Sequence, residues 1–339
     1  MRALLGVDNT SMPPNELIKA LLRAPVDLLW NGGIGTYVKS RNEHNDAVGD
    51  RANDGVRINA GELACRVVGE GGNLGFTQLG RIEFAARGGR IYTDAIDNSA
   101  GVDSSDHEVN IKILLDGVVA NGDMTEKQRN KLLAEMTDEV GRLVLRNNYV
   151  QTQALSLALA QAPQLLEVHA RLMRQLEREG DLDPAVEFLP GKEEIDERLL
   201  ARQGLTAPEL SVLLAYVKIR LFKQLLASDL PVECLHGEEL ANYFPTPLRE
   251  RFHKVMPAHR LAPDIISTVL ANEIVNRAGI TFVYRLREET GAGPADIARA
   301  FMIARQIFDM PNVWAEIESL DNAVAAKLQT EMLLEGRKL

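Results

Sequence analysis

Several things are scarce in this sequence, and each shortage removes a class of function. The 339 residues hold 2 cysteines, Cys65 and Cys234, far apart in the chain. Neither a disulfide framework nor a cysteine-built zinc site is therefore expected, and a reducing, cytoplasmic setting suits them. Long apolar runs are missing: no stretch approaches the roughly 18 residues of a membrane span. The opening "MRALLGVDNTSMPP" is too short and too interrupted for a signal peptide. Basic runs are missing too. With 38 Lys+Arg against 48 Asp+Glu the net charge is −10, so no nucleic-acid partner is expected, because that binding rests on basic patches and counterion release. The 6 histidines are scattered and no G-x-S-x-G elbow occurs, which leaves a Ser–His–Asp hydrolase without its parts. No period of self-similarity appears, so a solenoid is not indicated.

What is present falls into two rhythms. Residues 1 to 118 alternate short apolar runs with Gly/Asn-rich stretches. "PPNELIKALLRA" (13–24) predicts a helix, with prolines at its start. "VDLLW" (26–30) predicts a strand that breaks into "NGGIGTY". "CRVVGEG" (65–71) predicts a second strand, breaking into "GNLGFT". "TQLGRIEFAARGG" (77–89) fits a helix ended by glycine, and "RIYTDA" (90–95) a third strand. Strand, polar loop, helix and strand again is the grammar of a parallel sheet buried on both faces. The polar stretch from about 38 to 64 is expected to be an inserted surface loop. From 119 to 339 strand signals vanish and helical stripes take over, clearest in "LTAPELSVLLAYVKIRLFKQLLA". There Thr206 and Glu209 form a capping box, and Leu210, Leu213, Leu214, Val217, Leu221 and Leu225 mark one face. The expected fold is a partial α/β, Rossmann-type parallel sheet followed by an all-α helical domain.

The densest polar stretch is "TDAIDNSAGVDSSDHEVNIKILL" (93–115). Asp103, Asp106 and His107 stand at i, i+3 and i+4, as metal ligands on a helix can. Helix capping is the stronger reading, since Ser105 to Glu108 spells S-x-x-E and acids suit a first turn, so no metal is expected. His169, on an apolar helical stripe, reads as a packed histidine. "LPGKEE" (189–194) fails as a phosphate loop, because Val186 stands where a Walker motif needs its first glycine and no Ser/Thr follows Lys192. "GEGGNLG" (69–75) and "NGGIG" (31–35) miss the G-x-G-x-x-G spacing. Their placement says more than their spelling. Ligands of open α/β sheets bind at the carboxyl ends of strands, where free amides and helix starts gather. Asn31, Asn73 and Asn98 occupy three such exits. A carboxamide offers donor and acceptor together, which suits a ribose hydroxyl or a nicotinamide amide; turn asparagines are the plain alternative.

At "DLLWNGGIGTYVK", "CRVVGEGGNLGFTQLGRIEF" and "GRIYTDAIDNSAGVDSSDHEVNIKILL" the chain resembles the glutamate dehydrogenases, specifically the C-terminal portion of the large bacterial NAD-specific type. Smaller relatives share an E-G-A-N loop and a D-x-x-x-N-x-G-G-V run ending in serine. Here the first is Glu70 to Asn73, and the second runs from Asp94 to Ser105, with Ser99 and Ala100 departing from it. The resemblance implies NAD as cofactor, with Asn31, Gly32, Gly33, Gly71, Gly72, Asn73 and Asn98 beside it. It implies L-glutamate or 2-oxoglutarate as the small-molecule partner, with Ser105 near the distal carboxylate. It further implies a role in amino-acid catabolism within a homo-oligomeric full-length enzyme. The resemblance also implies that the family's catalytic residues lie upstream, in keeping with the lack of a lysine in a catalytic setting here, and this chain alone is expected not to oxidise glutamate. Two other readings compete: a non-catalytic oligomerisation or regulatory helical module carrying a remnant half-sheet, and a related enzyme for a different amino acid.

Overall fold

The computed structural model describes Leu5 and residues 11–338, and most of it is helical. The chain groups into two compact units. One comprises residues 1–99, 162–167 and 182–213, the other residues 100–161, 168–181 and 214–339.

Among the described residues the first unit holds four short strands, β1 (Leu28–Asn31), β2 (Val38–Lys39), β3 (Ile58–Asn59) and β4 (Val67–Glu70), in two parallel pairs. β1 lies on β4 from Leu28↔Val67 to Asn31↔Glu70, so both strands deliver their polar residue at the same edge. β2 pairs with β3 through Val38↔Ile58 and Lys39↔Asn59. The Pro14–Leu22 helix starts as its sequence suggests, since a proline in the first turn forfeits no intrahelical bond. The Gln78–Ala86 helix is capped by Thr77, whose hydroxyl accepts from the Gly80 N–H at 3.0 Å.

Two expectations need correction here. "RIYTDA" does not form a third strand: it touches β4 through one parallel bridge, Val67↔Arg90, and then turns into a short helix at Asp94–Asp97. Short polar side chains drive that exit, because Thr93 begins the turn and Asp94 engages backbone outside the sheet. The stretch 38–64 is not a surface loop either. Val38, Ile58, Ala60 and Leu63 are buried with Val68, Phe76, Phe84 and Ile91 in the core of this unit. Several of its polar residues are satisfied through local bonds, such as Lys39 Nζ to Asn59 Oδ1 at 2.6 Å and the Asn59–Glu62 capping box, whereas Asn45 Oδ1 is buried without a donor among the described residues.

In the second unit the Ala262–Ala278 helix is covered nearly all round, only Thr268 being exposed. Ile265, Ile266, Leu270, Ile274 and Val275 are buried against the Leu230–Glu233, Glu238–Tyr243 and Thr137–Ala160 helices. Its charged Glu273 and Arg277 are kept within that packing by ion pairs with Arg305 and Glu318. A separate cluster joins Leu157, Met310, Trp314, Ile317 and Leu333. The helical stripes expected after 119 appear as helices such as Leu166–Arg178, Pro294–Ile307 and Ala326–Glu335. At the start of the Ala207–Leu226 helix Glu209 accepts from the Thr206 N–H at 2.6 Å and from its hydroxyl at 2.7 Å. Among the described residues no helix is long and apolar enough to cross a membrane.

Candidate functional site

The polar edge of β1 and β4 gathers most of the residues that the sequence singled out. The loop from Asn31 to Gly33 lies against the loop from Gly71 to Gly75. The Gly72 N–H donates to the Asn31 carbonyl at 2.9 Å, and Asn98 Nδ2 donates to Asn73 Oδ1 at 3.0 Å. Asn73 is exposed and Asn98 half-buried. Asn31 Nδ2 is buried with no acceptor among the described residues. Thus Asn31, Gly32, Gly33, Gly71, Gly72, Asn73 and Asn98 share one edge of the first unit.

Close approach explains the glycines. A Cβ on Gly72 would stand 2.5 Å from the Gly33 carbonyl oxygen, and one on Gly75 would stand 1.8 Å from Asn31 Nδ2. A Cβ on Gly33 would meet nothing within 4 Å. Gly72→Ala is therefore expected to cost about 1–3 kcal/mol, as overpacking does, and Gly33→Ala less than about 0.5 kcal/mol, as surface changes do. Urea titrations of the two variants compare them; equal losses would mean that the loops do not press on one another.

Beneath the loops lies an ionic floor that sequence reasoning missed. Glu70 ends β4 fully buried, and Arg81 grips it from the next helix: Nε to Oε2 at 2.7 Å and an Nη to Oε1 at 2.9 Å. Glu70 Oε1 also accepts the Phe76 N–H at 3.0 Å, so one carboxylate ties the strand end to the loop's far side. Burial works against the charge on Arg81, but the Glu70 hydrogen bonds and the nearby Asp94 outweigh it and raise its pKa. Asp94 accepts the Leu74 N–H at 2.7 Å, which holds Leu74 in the left-handed region at φ 60°. Asp97 accepts the Glu70 N–H at 2.9 Å. Burial first, and then the Glu70 charge, push the Asp97 carboxyl up to about 6. Its folded pKa exceeds the ordinary 3.8, so its proton is held more tightly in the fold, and its contribution to stability falls as pH rises through that interval. A charged residue closing an apolar strand, and an arginine among apolar helix positions, were the available signals.

Ser105 lies in the second unit, and the reading of it as a helix cap is corrected. The helix runs from Ser99 to Ala120, so Ser105 sits on its second turn, exposed, and its hydroxyl donates to the Val102 carbonyl at 2.8 Å. The helix starts earlier, "SAGVDSS" being helical despite its modest propensity, and within it Ser104 and Ser105 bond back to the Ala100 and Val102 carbonyls. On the same helix His107 Nε2 lies 3.7 Å from Asp103 Oδ1, and Tyr243 stacks on the imidazole with centroids 4.4 Å apart. The Tyr243 hydroxyl donates to Asp106 at 2.7 Å. Among the described residues no group of three or more His, Cys, Asp and Glu is arranged to hold a metal. Lys112 is paired with Glu108 more than three turns into the helix. His169 is buried, and that burial alone drops its pKa to about 4.

Known proteins match this chain in two places. The family model described as bacterial NAD-glutamate dehydrogenase, catalytic domain, matches residues 1–158, and that of the glutamate dehydrogenase C-terminal region matches residues 202–339. The NAD-specific glutamate dehydrogenase of Pseudomonas aeruginosa is 54% identical over 339 residues, 100% of this chain and 21% of its own length. That of Halomonas elongata is 52% identical over 335 residues, covering 99% of this chain and 21% of the relative. That of Mycobacterium tuberculosis is 46% identical over 345 residues, with 100% and 21% covered. The chain spans about a fifth of the length of these curated relatives, at 21% in each. On these matches, which join the loops just described to the helices that follow them, the chain belongs to the family of large bacterial NAD-specific glutamate dehydrogenases.

Proposed function

We propose that this chain supplies cofactor-side and substrate-side loops to an NAD-dependent glutamate dehydrogenase, which converts L-glutamate, NAD and water to 2-oxoglutarate, ammonium and NADH. The observation that carries the reading is the meeting of Asn31, Asn73 and Asn98 at one strand edge, over a floor made rigid by Glu70 and Arg81. The residues present fit the nicotinamide end of NAD. The buried Asn31 Nδ2 donor lacks an acceptor, and the Asn73–Asn98 pair presents amides at an exposed surface. When bound, NAD supplies the two-electron acceptor for the hydride. The chain's own residues bind and orient: the three asparagines with Gly32, Gly33, Gly71 and Gly72 line the cofactor side. The Ser105 hydroxyl reaches the substrate's distal carboxylate after releasing the Val102 carbonyl. No catalytic residue is assigned within the chain.

Calorimetric titration with NAD tests this reading. Binding with a micromolar Kd is expected, weakened about tenfold by Asn98→Ala, the loss of about one good hydrogen bond. With glutamate added, no NADH absorbance should develop from this chain alone. Binding confined to the millimolar range, or a Kd indifferent to Asn98→Ala, would leave the half-sheet without a cofactor role.

A further inference from the structure

The second unit has a cavity of about 360 Å³ that plays no part in the proposed reaction. Its volume falls within the range of small-molecule sites, roughly 300–1,000 Å³. Its lining includes the apolar and aromatic Phe282, Phe301, Phe308, Met310 and Trp314. It also includes four arginines, whose charges differ in how they are used. Arg305 is committed to Glu239 and Glu273. Arg277 is paired with Glu318 at 2.8 Å and stacks over Trp314, 4.5 Å from the ring centroid. Arg285 and Arg337 are different, for neither has a carboxylate partner among the described residues.

The Arg337 guanidinium reaches neutral oxygens only: the Arg277 carbonyl at 2.8 Å, the Asn276 carbonyl at 3.4 Å and Gln161 Oε1 at 3.5 Å. Burial, and then the charges of Arg277 and Arg285, hold its pKa down to about 10, so this corner carries uncompensated positive potential. In a chain with net charge −10, the desolvated Arg337 guanidinium meets neutral oxygens but no carboxylate among the described residues, a costly arrangement unless a ligand completes it, and the exposed Arg285 stands beside it. Glu289 also lines the cavity but makes no ion pair with either arginine. The forked donors of arginine match a carboxylate or phosphate, and the aromatic lining matches an apolar body.

We propose that this cavity binds a small organic anion, its carboxylate or phosphate head held by Arg285 and Arg337 and its apolar body against Phe301, Phe308 and Trp314. This assignment is independent of the NAD reading, since every residue it uses lies in the second unit.

The test is calorimetry on the full chain with 4-phenylbutyrate, phenyl phosphate and the uncharged 4-phenylbutanol, with the Arg285→Gln and Arg337→Gln variants reporting where binding occurs. One saturable site for at least one anion is expected, with the alcohol about tenfold weaker or worse, the worth of a charge-assisted pair. The tighter anion names the head group. Arg285→Gln, at an exposed position, should weaken that anion about fivefold or more, and Arg337→Gln further still, with the helical circular dichroism of both variants intact. Should Arg337→Gln unfold, Arg285→Gln decides alone. No saturable binding, equal affinity for the alcohol, or a folded Arg285→Gln chain that binds as before would overturn the assignment.

Discussion

Arg81→Met is expected to destabilise the first unit by about 3–5 kcal/mol, because it strands a buried carboxylate. Glu70 is fully buried, and Arg81 supplies two of the three hydrogen bonds that its oxygens accept. Without the guanidinium, the remaining Phe76 N–H does not offset the desolvation of a full charge, so Glu70 must take up a proton or drag water into the core. Glu70→Gln in the same chain should restore most of the loss, since glutamine keeps an acceptor for Phe76 and carries no charge to bury. Thermal or urea denaturation of the two single variants and the double variant closes the cycle. A loss below about 1 kcal/mol for Arg81→Met, the range of exposed ion pairs, would show that the pair is a surface feature. The loop should respond with it, because Glu70 and its neighbour Asp94 fix the backbone at Phe76 and Leu74.

Lys218→Met is expected to stabilise the second unit, and the gain should depend on pH. Lys218 Nζ donates to Gln151 Oε1 at 2.8 Å, and no carboxylate among the described residues pairs with it. Burial alone pulls its pKa from 10.5 down to about 7. The folded state thus releases this proton near pH 7, whereas the unfolded chain keeps it until about 10.5. Between those values the unfolded state binds more protons, so stability rises with pH across the window, and below it the fold bears the whole penalty. Removing the amine should therefore raise stability below pH 7 by on the order of 3 kcal/mol, a shift of this size at about 1.4 kcal/mol per unit softened by local relaxation. The gain should fade toward the upper end of the window. Melting temperatures of parent and variant at acid, neutral and alkaline pH give the comparison. A constant difference at all three would mean that the amine stays charged in the fold.

Local chemistry made much of this molecule readable. The stripe Leu210, Leu213, Leu214, Val217 and Leu221 becomes a buried helix face, because helical period is a property of neighbours along the chain. Thr77, ahead of "QLGRIEF", caps a helix because its hydroxyl needs to reach only three residues on. The strand exits at Asn31 and Asn73 were visible as glycine and asparagine after apolar runs, and the parallel register sets them side by side. Elsewhere local cues misled. "RIYTDA" has the composition of a strand but forms one bridge, since strands are made by partners and not by propensity. S-x-x-E at Ser105 spells a cap, yet the helix begins at Ser99.

By itself, then, the sequence determined the family, the helical periods, and the small polar residues that the strand ends would carry. Only the tertiary structure decided that Glu70 would face Arg81, that the polar stretch 38–64 would feed the core, and that Arg285 and Arg337 would line one cavity. The physical reason is range. Periods and caps depend on residues within a turn or two, whereas charge pairing, burial and cavities depend on groups that folding brings together from distant parts of the chain.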